Sequence, residues 1–123
     1  MAVVDDDADV RVALMRLISS AGFATETFAS GAEFMKSLSD SSPECLVLDL
    51  HMPEVSGFEV QQLLHERHVE MPVVIITGRD TAESRSRALG LGARAYLAKP
   101  VDGDSLLQAI STALCDQEAS RER

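Results

Sequence analysis

Short, continuously apolar runs alternate along the chain with longer stretches in which apolar residues return every three or four positions, and the alternation repeats five times. Ala2–Val4 is apolar and stops at Asp5, Asp6 and Asp7. Val10, Leu14, Leu17, Ile18 and Ala21 then fall on one side of a helix starting near Ala8. Asp7 is its cap and Gly22 its end. Phe23–Phe28 reads as a short strand, and Ser30 with Glu33 forms a capping box for a second helix to about Leu38. Ser39–Glu44 is polar, contains Pro43 and reads as a loop. The apolar run Cys45–Leu48 ends at Asp49 and is followed by a loop with Pro53 and Gly57. A helix from about Phe58 to Arg67 carries Val60, Leu63 and Leu64 on its apolar stripe. Val73–Ile76 is the densest β-branched run and ends at Thr77. Thr81–Leu89 is helical in pattern but weakly apolar, and Gly90 and Gly92 close it. Ala95–Ala98 ends at Lys99 and Pro100, after which Asp102 caps a last helix with Leu106, Leu107, Ile110, Ala113 and Leu114 facing inward.

The order is strand then helix, five times over. Cys45–Leu48 and Val73–Ile76 are apolar throughout rather than alternating, so both faces of these strands must be covered. That predicts an α/β fold, a parallel sheet with helices on both faces and right-handed crossovers. Residues 1–115 read as one domain, and the charged 116–123 as a tail or the start of a linker.

Composition narrows the function. The chain is 46% hydrophobic, enough for a full core, and carries 20 acidic against 11 basic residues for a net charge of −9. No basic excess exists to displace counterions, which argues against non-specific nucleic-acid binding by this segment. Two cysteines, Cys45 and Cys115, do not make a disulfide scaffold. No apolar run approaches the about 18 residues of a membrane span, and the start lacks the layout of a signal peptide. A cytoplasmic, non-membrane protein is expected.

The chemistry collects at strand ends. The first run ends at Asp5, Asp6 and Asp7, the third at Asp49, the fourth at Thr77 and the fifth at Lys99. Strand ends of one parallel sheet share a rim, and ligand sites lie beyond the carboxyl ends of such strands. Clustered carboxylates repel one another, and a hard divalent cation offsets that repulsion. Oxygen-only ligands favour Mg²⁺, which keeps several waters and takes phosphate oxygens as further ligands; Mn²⁺ is the alternative. Asp6 and Asp49 would ligate directly and Asp5 through water, whereas Asp7 reads as a helix cap.

The segments Val3-Val4-Asp5-Asp6-Asp7, Leu48-Asp49-Leu50-His51-Met52-Pro53 with Gly57, Ile76-Thr77-Gly78 and Ala98-Lys99-Pro100, at these separations, resemble the response-regulator receiver domains of two-component signalling. The resemblance covers essentially the whole chain, although the first strand is short for the family. It is similar to receivers joined to a helix-turn-helix DNA-binding domain. The resemblance implies a five-stranded parallel sheet in the order 2-1-3-4-5 and phosphorylation at Asp49. It implies a metal held by Asp5, Asp6, Asp49 and the backbone carbonyl of His51, with Thr77 and Lys99 contacting the phosphoryl group. Pro100, through a cis bond, would aim Lys99, and His51 and Arg79 would tune the lifetime of the phosphoryl group. Thr77 and Tyr96 would form the switch: Thr77 moves to the phosphoryl oxygen, and Tyr96 turns from solvent into the space left behind.

The expected function is a phosphoryl-accepting switch. A sensor histidine kinase or phosphotransfer protein supplies the group. The domain is no conventional enzyme but catalyses its own phosphorylation and dephosphorylation. Its output is a changed surface near Tyr96, acting through a homodimer or partner, with DNA reached only through a C-terminal domain absent from this chain. A stand-alone receiver acting by protein contact is the alternative. An aspartate-nucleophile phosphohydrolase is disfavoured because His51 stands where its second carboxylate belongs and no cap insertion exists. A flavin-binding protein on a similar sheet is disfavoured by three carboxylates where a phosphate would sit. His65 and His68, three apart on one helix, read as solvated rather than as a metal pair. Arg85, Arg87 and Arg94 form either a docking face or a solvated one.

Overall fold

The computed structural model describes residues 1–39 and 42–121; residues 40–41 of the predicted loop and 122–123 of the charged tail lie outside them. Five strands and five helices alternate: β1 Ala2–Val4, α1 Ala8–Ser20, β2 Glu26–Phe28, α2 Gly31–Ser37, β3 Leu46–Asp49, α3 Gly57–Glu66, β4 Val73–Thr77, α4 Ala82–Gly90, β5 Ala95–Ala98 and α5 Gly103–Arg121. All strands pair in parallel, in the order β2-β1-β3-β4-β5, as expected. The central β3 is bonded on both sides, with Leu48 opposite Val4 and Ile75.

Alternate strand residues point to opposite faces, and here both faces are buried. Ala2, Val4, Leu46, Leu48, Val73 and Ile75 pack with Phe34 of α2, Val60 and Leu64 of α3, and Ala88 of α4. Val3, Val47, Val74 and Ile76 pack on the other face with Leu14 and Ile18 of α1 and Leu106, Ile110 and Ala113 of α5. Two cores flank one sheet, which is why β3 and β4 lack the alternation of a half-exposed strand. Cys45 lies in the second core, where burial pushes its thiol up to about 11 and keeps it unreactive.

Helix ends follow local chemistry. Asp7 caps α1 by accepting from the N–H groups of Asp9 and Val10, at 2.9 and 3.3 Å. Ser30 accepts from Glu33 N–H at 3.2 Å, and the Glu33 carboxylate reaches back to the N–H of Ala29, one residue before the cap. At the end of α1, Phe23 N–H bonds Ile18 O while Gly22 takes φ +95°. The apolar Phe23 therefore closes a helix, and the second strand is shorter than its hydrophobic pattern predicts, starting at Glu26. The same closure ends α4, with Gly92 at φ +101°, and α3, where His68 takes φ +56° in the glycine's place.

The last helix continues through the charged segment to Arg121. Gln117 is buried and lies 3.4 Å from both the Arg94 guanidinium and the carbonyl of Glu70. Among the described residues no helix is long and apolar enough to cross a membrane.

Candidate functional site

The carboxyl ends of β1, β3, β4 and β5 bring Asp5, Asp49, Thr77 and Lys99 to one rim. Asp5 follows β1 and is fully buried. One of its carboxylate oxygens accepts Asp7 N–H at 2.9 Å, and its main-chain carbonyl accepts from the Arg11 guanidinium at 2.7 Å. Asp49 is the last residue of β3 and 2% exposed. Asp6 is exposed. One carboxylate oxygen from each of Asp5, Asp6 and Asp49 lies within 4.8 Å of the others. At that separation, with an effective dielectric constant of about 20, each like-charged pair repels by roughly 3 kcal/mol.

Lys99 offsets only part of this. Its ammonium stands 2.8 Å from Asp5 Oδ2 and 3.4 Å from Asp49 Oδ1. Burial by itself lowers the lysine pKa, but the Asp5 and Asp49 carboxylates outweigh it and the net shift is upward. For Asp49, burial and then the Asp5 charge raise the pKa to about 6 despite Lys99. The buried Asp5 Oδ2 is held by the Lys99 ammonium at 2.8 Å. Three clustered carboxylates against one ammonium leave surplus negative charge, and an all-oxygen donor set of this kind fits a hard divalent cation. Asp5, Asp6 and Asp49 are the side chains that would hold it.

Glycine sets the approach of α3 to β3. A Cβ on Gly57 would lie 2.5 Å from Asp49 O and 2.8 Å from Leu50 Cα, while Gly57 N–H bonds Leu50 O at 2.9 Å. Only a residue without a side chain fits that contact. This residue is in the quoted motif, but its packing role against the backbone of Asp49 is visible only in three dimensions. The bond of Arg11 to Asp5 O likewise has no signature in the residue spacing.

Thr77 is fully buried, and its hydroxyl oxygen accepts from Arg79 N–H at 3.0 Å. Lys99 N–H bonds Thr77 O at 2.7 Å, tying the ends of β4 and β5 together, and the Lys99–Pro100 bond is cis. His51 and Arg79 are exposed, and among the described residues neither side chain pairs with the carboxylates. Tyr96 sits on β5 opposite Ile75, two pairs along from Thr77 and Ala98. Its ring is buried in the first core rather than turned to solvent, with the Arg85 guanidinium 5.6 Å from the ring centre. Burial, and then the Asp80 charge, raise the Tyr96 pKa. A cavity of about 300 Å³ lined by Gln61, Leu91, Arg94 and Gln117 lies elsewhere, with Val73 at the start of β4, and shares no residue with the carboxylate rim.

Comparison with known proteins agrees with this architecture. The response regulator protein TodT of Pseudomonas putida is 37% identical over 91% of the chain, and the chain spans 49% of TodT. The DNA-binding transcriptional regulator NtrC of Escherichia coli is 34% identical over 91% of the chain, which spans 24% of NtrC. The crystal structure of a response regulator receiver protein from Burkholderia phymatum superposes with a TM-score of 0.81 at 42% identity, covering 92% of each chain. Residues 1–111 match the profile of the response regulator receiver domain. With the sheet order, the two-sided core and that match together, the chain belongs to the response-regulator receiver domain family of two-component systems.

Proposed function

We propose that this receiver accepts a phosphoryl group on Asp49 and relays its presence to a surface near Tyr96. The observation carrying this is the Asp49 carboxylate at the end of the central strand, within 4.8 Å of oxygens of Asp5 and Asp6 and 3.4 Å from the Lys99 ammonium. The donor is a phosphohistidine of a sensor kinase or phosphotransfer protein. An Asp49 oxygen–phosphorus bond forms as the donor's nitrogen–phosphorus bond breaks, and the imidazole leaves with a proton taken from solvent. When bound, a divalent cation held by Asp5, Asp6, Asp49 and the His51 carbonyl supplies neutralisation of phosphoryl charge. Lys99 contributes a second positive charge at the same oxygens. Dephosphorylation is attack of water at phosphorus, with the Asp49 carboxylate leaving. His51 and Arg79 lie in the loops after Asp49 and Thr77, where they meet that water.

The Thr77 oxygen already accepts from Arg79, so its hydroxyl proton is the part left to donate to a phosphoryl oxygen. Thr77 is bonded through its carbonyl to Lys99, so its motion is coupled to β5 and to Tyr96. The output is altered association, through a second copy or a partner. The similarity to NtrC, a DNA-binding transcriptional regulator of which the chain spans 24%, supports a DNA-binding output domain in a longer protein. A receiver acting alone by protein contact is the second reading. Incubation with Mg²⁺ and a small acyl phosphate, followed by intact mass, tests the acceptor: one phosphate per chain is expected and none in Asp49→Asn. Unchanged incorporation in that variant overturns the assignment.

A further inference from the structure

Helix α4 is held unevenly. Of its residues only Ala88, near the C-terminal end, is buried. Gln61 of α3, 3% exposed, donates from Nε2 to the Ala88 carbonyl at 3.0 Å. The same carbonyl accepts Ala93 N–H at 3.1 Å, the bond that closes the helix. Beside it, the Arg87 guanidinium lies 4.2 Å from the centre of the Phe58 ring, also on α3. Toward the other end, the Thr81 side chain caps α4 by accepting from Ser84 N–H, and the Arg85 guanidinium lies 5.6 Å from the Tyr96 ring centre. The second polar atom of Gln61, Oε1, is buried and has no hydrogen-bond partner among the described residues. An apolar side chain of similar size would leave no such group, so packing does not account for a glutamine here.

We propose that Gln61 is a positioning residue that pins the C-terminal end of α4 to α3, so that any motion of α4 swings its Thr81 end. The link from this pivot to phosphorylation rests on the switch reading of Asp49 and Thr77; the pin itself does not. The end that swings follows Thr77 and carries Arg85 against Tyr96, so the pivot converts a change at the rim into a displacement of one helix end rather than of the whole helix.

Amide hydrogen exchange by NMR on the full chain, wild type against Gln61→Leu, tests the pin. In the unmodified variant, exchange at Leu91, Gly92 and Ala93 accelerates about fivefold while Arg85 keeps its wild-type rate and the melting temperature changes little. Equal acceleration at both ends, or none, overturns the pin. With Mg²⁺ and a small acyl phosphate, wild-type resonances of Arg85 and Tyr96 shift while those of Leu91 to Ala93 stay; in the variant both sets shift. An equal response at both ends of the wild-type helix overturns the pivot. Intact mass reads phosphorylation separately: without a mass change the switch reading falls, and the unmodified comparison still decides the pin. If Gln61→Leu does not fold, the wild-type side-chain amide protons decide. Those of Gln61 should exchange more slowly than those of the exposed Gln62, and equal rates overturn the proposal.

Discussion

The junction of β3 with α3 and the junction of β4 with α4 are built on opposite plans. At the first, a helix presses so close to the sheet that Gly57 has no room for a Cβ against Asp49 O, and Phe58, Val60, Gln61 and Leu64 are all buried. At the second, the helix buries only Ala88, and a Cβ on its Gly90 would meet nothing within 4 Å. Asp49, the proposed acceptor, stands on the tightly packed junction and Tyr96 beside the loosely packed one. On the proposed reading, chemistry that depends on tenths of an ångström would sit where backbone cannot shift, and response where little contact energy opposes displacement.

The strongest way to break this contrast is Gly57→Ala. The added methyl meets backbone atoms that cannot swing aside, so the substitution should cost about 3 kcal/mol in urea unfolding and slow phosphorylation of whatever remains folded. A cost below about 1 kcal/mol would mean that the α3 junction yields as readily as α4.

Charge gives the next effect. Asp49 has its pKa raised to about 6 from 3.8, so in metal-free protein its stability contribution is fully present below the unfolded value and is lost as pH rises through the folded one. The loss is on the order of 3 kcal/mol. Asp49→Asn should therefore be more stable than wild type in the presence of a chelator, by a margin that grows between about pH 4 and 6 and is flat above about 7. Equal stabilities at neutral pH would remove the electrostatic tension from the acceptor site.

Metal should act in the same direction. Mg²⁺ at about 100 times its dissociation constant should stabilise wild type by about 2.7 kcal/mol, and Asp6→Ala should lose most of that gain. Thermal denaturation with and without the metal measures it, and an identical gain in the variant would place the ion elsewhere.

The smallest effect lies on the other side of the comparison. Gly90→Ala should stabilise by about 0.5–1 kcal/mol, because the position is helical and open. Destabilisation there would show that α4 is more tightly fitted than its burial suggests.

The fold was legible from sequence wherever burial on both sides left a continuous run, as in β3 and β4, and wherever a polar cap stood before a helix, as at Asp7, Ser30 and Asp102. It failed at Phe23, because an apolar residue closing a helix reads like the start of a strand. The rim was legible because four strand ends carry polar residues and parallel strands must end together. Its contacts were not: the Arg11 bond to Asp5 O and the clearance at Gly57 depend on how helices seat on the sheet, which no local spacing encodes. The inward position of Tyr96 was equally hidden, since a lone aromatic near a strand end suits either side of the surface.

The central position of β3 has a consequence for damaged or half-made copies of the protein. Asp49 lies on the strand bonded to both neighbours, and the other rim groups come from chain segments as distant as Asp5 and Lys99. A form in which β1, β3 or the end of β5 is out of place lacks Asp5, Asp49 or Lys99 at the rim. The site therefore exists only in molecules whose whole sheet has assembled, and it vanishes in the cooperative step that exposes the cores. If Asp49 is the acceptor as proposed, misfolded copies are expected to be silent rather than wrongly active, and labelling at Asp49 would count native molecules in a mixed population.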